Sequence, residues 1–486
     1  MTEKNIRRNF IMNALLSVCG ILFPLIEFRY ASRILLPAGV GKVSIATSVI
    51  AYFTMLAGLG IPTYGIRAVA AAGEDRAKRS QIVHELMGIN MVMVLVSYLL
   101  LASAVMVIPK LAEEKLLYVV VSVPILMSSA GMEWLYKGME QYTYITVRSI
   151  LCRLVALAAL FLLIRSEQDY VIYGGVTVFA VSASGLLNLI YARKYVDFRR
   201  PEDCDWRRHL RPVMTFFAIS CAATVYTHLD ELMLGFMTTD ADVGYYHAAV
   251  RIKSILISLV TALGAVLLPR SSRYVENGEM DKFRSLTRKA FRFVLLAAVP
   301  LTVFFVIYAR ECILFLSGEA FLPAVGAMQI ILPTVLLVGL SNLFGIQILV
   351  PLGREKKVLQ SEIAGAAVDF ILNLILIPRW GAAGAAAGTL AAEAVVLLVQ
   401  GYALKEEIRT IAKGYTWGKL TVALLAACAA GVWVKVAGWQ PLLTLLIAGI
   451  GFFGVYIGYL LWQKEEILTE TWTALKAKIR KQGRRK

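Results

Sequence analysis

The chain is written in blocks. Apolar stretches of about 20 residues, the length that carries a helix across bilayer hydrocarbon, follow one another to about residue 462, divided by short charged segments. Backbone N–H and C=O groups in hydrocarbon must be satisfied within the chain itself, so such a sequence folds as a bundle of membrane helices. Composition agrees: 58% of the 486 residues are hydrophobic and 17% charged, against roughly 45–50% and 25% in soluble domains. The fold class read from this is an all-α polytopic membrane protein with about fourteen transmembrane helices. They are expected near 10–30, 43–62, 86–108, 116–133, 146–164, 171–192, 213–237, 246–268, 291–309, 322–350, 358–378, 382–403, 417–436 and 441–462. The uncharged run 320–353 is long for one span and is expected to be tilted, kinked at Pro333 or partly interfacial.

Lysine and arginine set the orientation. Alternate inter-helix segments, beginning with the N-terminus, carry 37 of these residues and the other set carries 9, which places both termini in the cytoplasm. The same alternation disposes of a nucleic-acid partner: the net charge of +17 is spread over loops and never gathered on one basic face. Lys4, Arg7 and Arg8 ahead of "LSVCG" imitate a signal peptide. Val18 stands where a lipoprotein cleavage site wants a small residue, so an uncleaved first span is expected. The outward loops reach at most about a dozen residues, too short for an external catalytic domain.

Shifting the sequence by 203 positions superposes two halves. Val40-Gly41 falls on Val243-Gly244, Arg67 on Arg270, Arg79 on Lys282 and Glu27 on Asp230. An offset of six helices preserves orientation, so these are parallel repeats about an axis along the membrane normal, an arrangement that builds transporters with a path between two lobes. The expected organisation is an N-terminal lobe over 1–192, a basic cytoplasmic linker over 193–212, a C-terminal lobe over 213–403, and two further helices with a basic cytoplasmic tail over 404–486.

Catalytic motifs are thin. "AGVGKVS" (38–44) resembles a phosphate-binding loop but has Leu36 at the first glycine position and Val43 after the lysine, so ATPase chemistry is rejected. Four scattered histidines and six scattered cysteines show no metal or redox spacing. No cofactor, metal or enzymatic activity is expected. Gly384/Gly388 and Gly454/Gly458 have the four-residue spacing that lets helix backbones approach, and are read as packing sites.

The informative residues are charges inside apolar helices, which cost at least a few kcal/mol each and mark function. Asp230 lies about 10 Å below the outer end of its helix and Arg251 about 8 Å below that of the antiparallel neighbour, so the two are expected to pair, with Glu231 and Lys253 as second choices. Glu27 has Arg29 and Arg33 close in sequence. Two readings stand: mutually neutralised structural pairs along an internal seam, or a cationic cavity balanced by carboxylates that receives an anionic headgroup. Arg67 and Arg270 are expected at cytoplasmic helix ends, as anchors or as a gate. Asp369, Glu362 and Glu393 fall in or near later spans, with Asp369 the best placed for a buried polar contact. His228 shares a helical face with Glu231 without a third ligand to make a metal site.

The stretches "NFIMNALLSVCGILFPLIEFRYASRILLPAGVGKVSIATSVIAYFTMLAGLGIPTYGIRAVA", "HLDELMLGFMTTDADVGYYHAAVRIKSIL", "LLPRSSRY" and "PLGREKKVLQSEIAGAAVDFILNLILIPRWGAAGAAAGTLAAEAVV" resemble the polysaccharide transporter family, the O-antigen and exopolysaccharide flippases. Its superfamily also holds multidrug exporters of the MATE type and lipid II flippases. The resemblance extends to about residue 400. It implies two six-helix lobes in a V that alternate between inward- and outward-open states in a bacterial plasma membrane. It implies passage of an undecaprenyl-pyrophosphate-linked oligosaccharide from the cytoplasmic to the outer leaflet, by a monomer or in company with polysaccharide polymerase and export machinery. By their location on helices 1 and 8, Arg29, Arg33, Arg251 and Lys253 would meet the pyrophosphate, with Glu27 and Asp230 as balancing acids. Two rivals are a multidrug antiporter coupled to H⁺ or Na⁺ through Glu27 or Asp230, and a membrane glycan polymerase or ligase, which the short external loops disfavour.

Overall fold

A computed structural model describes residues 3–198, 204–262, 264–412, 417–465 and 469. Part of the expected linker (199–203) and nearly all of the basic tail (466–468 and 470–486) lie outside the described residues. Among those described the chain is helical, with turns between helices and no strand. Twelve helical runs are long and apolar enough to cross a membrane. Their outer faces carry the signature of lipid: Val92, Leu95 and Leu99 on Arg76–Val107, and Leu151, Val155 and Leu162 on Tyr142–Leu163, are all more than half exposed. Apolar patches of that extent are rare on soluble monomers. In a bilayer they cost nothing. The protein is a multi-pass membrane protein.

Two differences separate these twelve runs from the fourteen expected. The first two expected spans, 10–30 and 43–62, are joined in a single helical run, Glu3–Gly58, with no loop over 29–42. The chain turns there at one residue, Leu36, whose backbone (φ 58°, ψ 176°) is not helical, directly before Pro37. A proline ring disfavours the α conformation in the residue before it, yet Pro24 in the same run is accommodated without a break, so the proline alone does not mark this point and hydropathy cannot distinguish a kink from a loop. The second difference is Asp240–Thr261, which is not among the twelve: Asp240, Asp242, His247, Arg251 and Lys253 make it too polar.

Contacts divide the chain into two units, 1–247 and 248–486, with the division inside this polar helix. Helix Arg207–Met237 packs against Glu3–Gly58 within the first unit. The first unit has a buried cluster of Ile61, Val69, Leu86, Trp134, Leu135 and Tyr136. The second is built around Phe283, Phe291, Leu343, Phe344 and Ile348. In the second unit the long uncharged run breaks at Pro333 into Ala324–Ile331 and Thr334–Asn342, then continues as a π-helix over Leu343–Leu349. The wide turn packs polar groups: Gln347 donates to Asn342 at 3.3 Å, and Gln400, beside Gly345, donates to Ser361 at 3.0 Å.

The small-residue pairs behave differently from each other. A Cβ on Gly384 would stand 2.4 Å from the carbonyl oxygen of Leu376, and one on Gly388 2.2 Å from Asn373 Oδ1. This pair therefore seats Glu355–Trp380 closely on Ala382–Ala403. Among the described residues, a Cβ on Gly454 or Gly458 would meet nothing within 4 Å, so the close packing expected of them is not seen there.

Candidate functional site

The site grows from helix Arg207–Met237, where His228, Asp230 and Glu231 interrupt an apolar run. Residues three apart on a helix share a face, so His228 and Glu231 point the same way, toward Ser48 on the run Glu3–Gly58. Ser48 donates to Glu231 Oε2 at 2.6 Å and lies 3.2 Å from His228 Nδ1. The other carboxylate oxygen, Oε1, is 2.7 Å from His247 Nδ1. Ser48 and Glu231 are buried, His228 and His247 half-buried. The buried Phe28 packs on His247, the ring centroids 5.6 Å apart. Asp230, a residue away, is buried and accepts a hydrogen bond from the Tyr246 hydroxyl. Two adjacent acids are thus satisfied by two adjacent residues of the next helix, and charge inside the membrane is held by hydrogen bonds rather than left to bare hydrocarbon.

His228 also lines a cavity of ≈ 610 Å³ in the first unit. Its polar wall is Thr47, Thr54, Ser128, Ser220, Thr224 and His228, set among Ile, Val, Ala, Met, Pro and Gly. The volume falls within the roughly 300–1,000 Å³ typical of ligand sites.

The helices around this cavity are tied at both ends. At one end Gly41 meets the start of Asp240–Thr261: a Cβ there would stand 1.7 Å from the carbonyl oxygen of Asp240, and a Cβ on Gly244 2.1 Å from that of Pro37. These are the two glycines that the repeat superposes, and they lie against each other. Ion pairs flank them. Lys42 reaches Glu114 at 2.5 Å and sits over the Tyr170 ring, whose hydroxyl donates to the same carboxylate at 2.7 Å. Lys110 meets Asp240 at 3.3 Å and donates to the Gly235 carbonyl. The phosphate-loop lookalike thereby acquires a structural explanation: Gly41 permits backbone contact and Lys42 holds an acid. At the other end Glu85, with a fully buried side chain, accepts from Arg208 (2.5 and 2.9 Å) and the Asp205 backbone N–H (2.9 Å), and lies 2.7 Å from His209 Nε2. The other nitrogen of His209 is 2.8 Å from the Tyr64 hydroxyl. Sequence reading assigned no role to Glu85, His209, Ser48 or Tyr246, because each gains meaning only from a partner on another helix.

The expected site residues fall as follows. Glu27 and Arg29 are half-buried and Arg33 exposed, all on Glu3–Gly58. None of the three lines the cavity. Arg251 and Lys253 are half-buried on Asp240–Thr261, beyond the division between the units. Arg67 and Arg270 are both exposed, each on a short helix, Ile61–Ala72 and Gly264–Glu276, as their repeat equivalence predicts. Asp369 and Glu393 are buried in the second unit and Glu362 is half-buried. No group of three metal-ligating side chains exists among the described residues.

Residues 6–275 match the family described as polysaccharide biosynthesis protein. The chain belongs to this family. It is 24% identical over 396 residues to a protein of Escherichia coli strain K12 named "Putative O-antigen transporter", covering 81% of this chain and 95% of that one. It is 26% identical over 189 residues to the "Probable flippase AglR" of Haloferax volcanii, covering 38% and 39% of the two chains. Among solved structures it resembles the lipid II flippase MurJ in an inward closed conformation, with a TM-score of 0.74 at 13% identity over 94% of this chain and all of that one. It also resembles an inward-facing MATE multidrug transporter of the MOP superfamily, with a TM-score of 0.62 at 12% identity over 84% of this chain and all of that one. The family and the all-helical MATE-like fold expected from the sequence are both shown.

Proposed function

We propose that this family member is a flippase. It carries a polyprenyl-pyrophosphate-linked oligosaccharide, in its bacterial form undecaprenyl-linked, from the cytoplasmic to the outer leaflet of the plasma membrane for cell-surface polysaccharide biosynthesis. The observation that carries this reading is a cavity among membrane helices whose largely apolar lining carries five hydroxyls and His228, in a chain of the polysaccharide biosynthesis family. A glycan head cannot cross hydrocarbon with its hydroxyls unsatisfied, at several kcal/mol for each group. A recess that offers hydroxyls and an imidazole lowers that barrier while the lipid tail stays outside. Movement follows by alternating access of two six-helix lobes, 1–192 and 213–403, within a fourteen-span protein whose termini are cytoplasmic. In that fourteen-span reading the run Glu3–Gly58 crosses twice about Leu36 and Asp240–Thr261 crosses as well. Arg29, Arg33, Arg251 and Lys253 take the pyrophosphate, Glu27 and Asp230 balance them, and Arg67 and Arg270 stand at the inner gate. The protein performs transport without bond chemistry.

Reconstitution decides the matter: transbilayer movement of a polyprenyl-pyrophosphoryl glycan is compared with efflux of cationic dyes from the same liposomes. Glycan movement is expected, and dye efflux without it overturns the reading in favour of the multidrug antiporter. Arg251→Ala is expected to abolish complementation of glycan export at unchanged protein level. Retained export removes Arg251 from the headgroup site.

A further inference from the structure

His228, Ser48, Glu231 and His247 form one unbroken chain of hydrogen-bonding groups drawn from three membrane helices, with contacts of 3.2, 2.6 and 2.7 Å. One end of it, His228, lines the cavity. The polarity of the chain is fixed by counting protons. Ser48 has one hydroxyl hydrogen and gives it to Glu231, so the His228 nitrogen facing it, Nδ1, must be the N–H donor. On the far side a carboxylate is acceptor-only, so His247 Nδ1 donates to Glu231 as well.

The geometry points to Glu231 as an exchangeable proton-binding site, loaded from the cavity through His228 and Ser48 and coupled to movement of the headgroup. This assignment rests on the flippase reading for what the proton is coupled to, but not for the site itself. In the loading step a proton from the cavity bonds to His228 Nε2. The Nδ1–H proton passes to Ser48 Oγ, whose own proton passes to Glu231 Oε2. The products are a neutral Glu231, an intact Ser48 hydroxyl and a neutral His228 in its other tautomer, so one proton has entered and none is lost. Release runs the same transfers in reverse.

The surrounding groups separate Glu231 from its neighbour. On the same helix, Asp230 is bonded to Tyr246, and the buried Tyr52 hydroxyl of Glu3–Gly58 lies within reach of its charge. Neither Tyr246 nor Tyr52 lines the cavity, so the phenols around Asp230 do not lead to it. Glu231 instead is joined to the cavity through Ser48 and His228 and faces His247 on its other side. The other charges nearby are Arg251, one turn beyond His247 on its own helix, and the Lys110–Asp240 pair at the helix start. A proton on Glu231 Oε2 turns that oxygen from acceptor to donor toward Ser48 and leaves Oε1 a neutral carbonyl acceptor for His247, weakening the contacts that join helices 3–58, 207–237 and 240–261. That is how loading would bias one arrangement of these helices over another.

Two measurements test this. Infrared titration of the purified protein in lipid is expected to show a protonated-carboxyl C=O band that grows on acidification. The band is lost in Glu231→Gln and retained in Asp230→Asn. In proteoliposomes, a pH gradient that is acid on the delivery side is expected to raise wild-type glycan movement several-fold. The ratio of rates with and without the gradient falls to about one in Glu231→Gln and Ser48→Ala, and recovers in Ser48→Thr, which restores the hydroxyl. A band that survives Glu231→Gln, or wild-type movement indifferent to the gradient, overturns the proposal while leaving the flippase reading intact. If the wild type moves no glycan, the flippase reading fails and the infrared band alone decides the proton site.

Discussion

The two ends of the helices around the cavity are closed by opposite means. Around Gly41 and Gly244 the closure is backbone against backbone, with no room for one added carbon. Around Glu85 it is a single buried carboxylate serving four donor groups from residues 205, 208 and 209. The first kind of contact is steric and all-or-none: it forms completely or the helices separate. The second is electrostatic and graded, since Arg208 is 44% exposed and can exchange its partner for water. Under the alternating-access proposal, the first would define the closed position and the second set how firmly it is held.

Substitutions can break this contrast. Gly41→Val is expected to be the most damaging. Its side chain would have to enter the Asp240 backbone, so the loss should reach or exceed the roughly 1–3 kcal/mol of ordinary overpacking. Thermal unfolding in detergent reads this out, and an unchanged melting temperature would show that the contact is absent. Glu85→Ala should cost about 3 kcal/mol, the low end for breaking a buried pair, because His209 is left buried while Arg208 can turn to water. The same unfolding assay, repeated with His209→Ala in a double-mutant cycle, should show strong coupling between the two. Tyr246→Phe removes the hydroxyl donated to Asp230 and should cost about 1–3 kcal/mol, restored in part by Asp230→Asn. Lys42→Ala ranks last. Lys42 is about one-third exposed and Glu114 keeps the Tyr170 hydroxyl as a donor, so a loss of about 1 kcal/mol is expected, shrinking further in high salt. A larger effect for Lys42 than for Glu85 would invert the contrast.

How far the sequence speaks depends on the kind of signal. Helices and their lipid-facing sides follow from hydropathy, because the bilayer selects residue by residue. The shift of 203 equates Gly41 with Gly244 as repeat positions, but that the two lie against each other is not something the superposition foretells. The kink at Leu36 was hidden, because an uncharged kink and a short loop have the same hydropathy. Gly454 and Gly458 misled, since spacing reports what a helix can accept and not whether a neighbour is there. The network at Glu231 was half visible. His228 and Glu231 share a face by arithmetic, but Ser48 and His247 are ordinary residues until three helices bring them together.

The π-helical turn at Leu343–Leu349 carries a consequence for the history of the chain. A π-turn takes one residue more than an α-turn between bonded groups, so it can lose that residue and return to α without rotating the helix on either side. Elsewhere in the same helix a deletion would turn everything beyond it by about 100° and bury the wrong face. Kin of this protein that differ in length by one residue here should therefore place the gap within these seven positions. Deleting the half-exposed Ile346 should be survivable where deleting the buried Val335 is not.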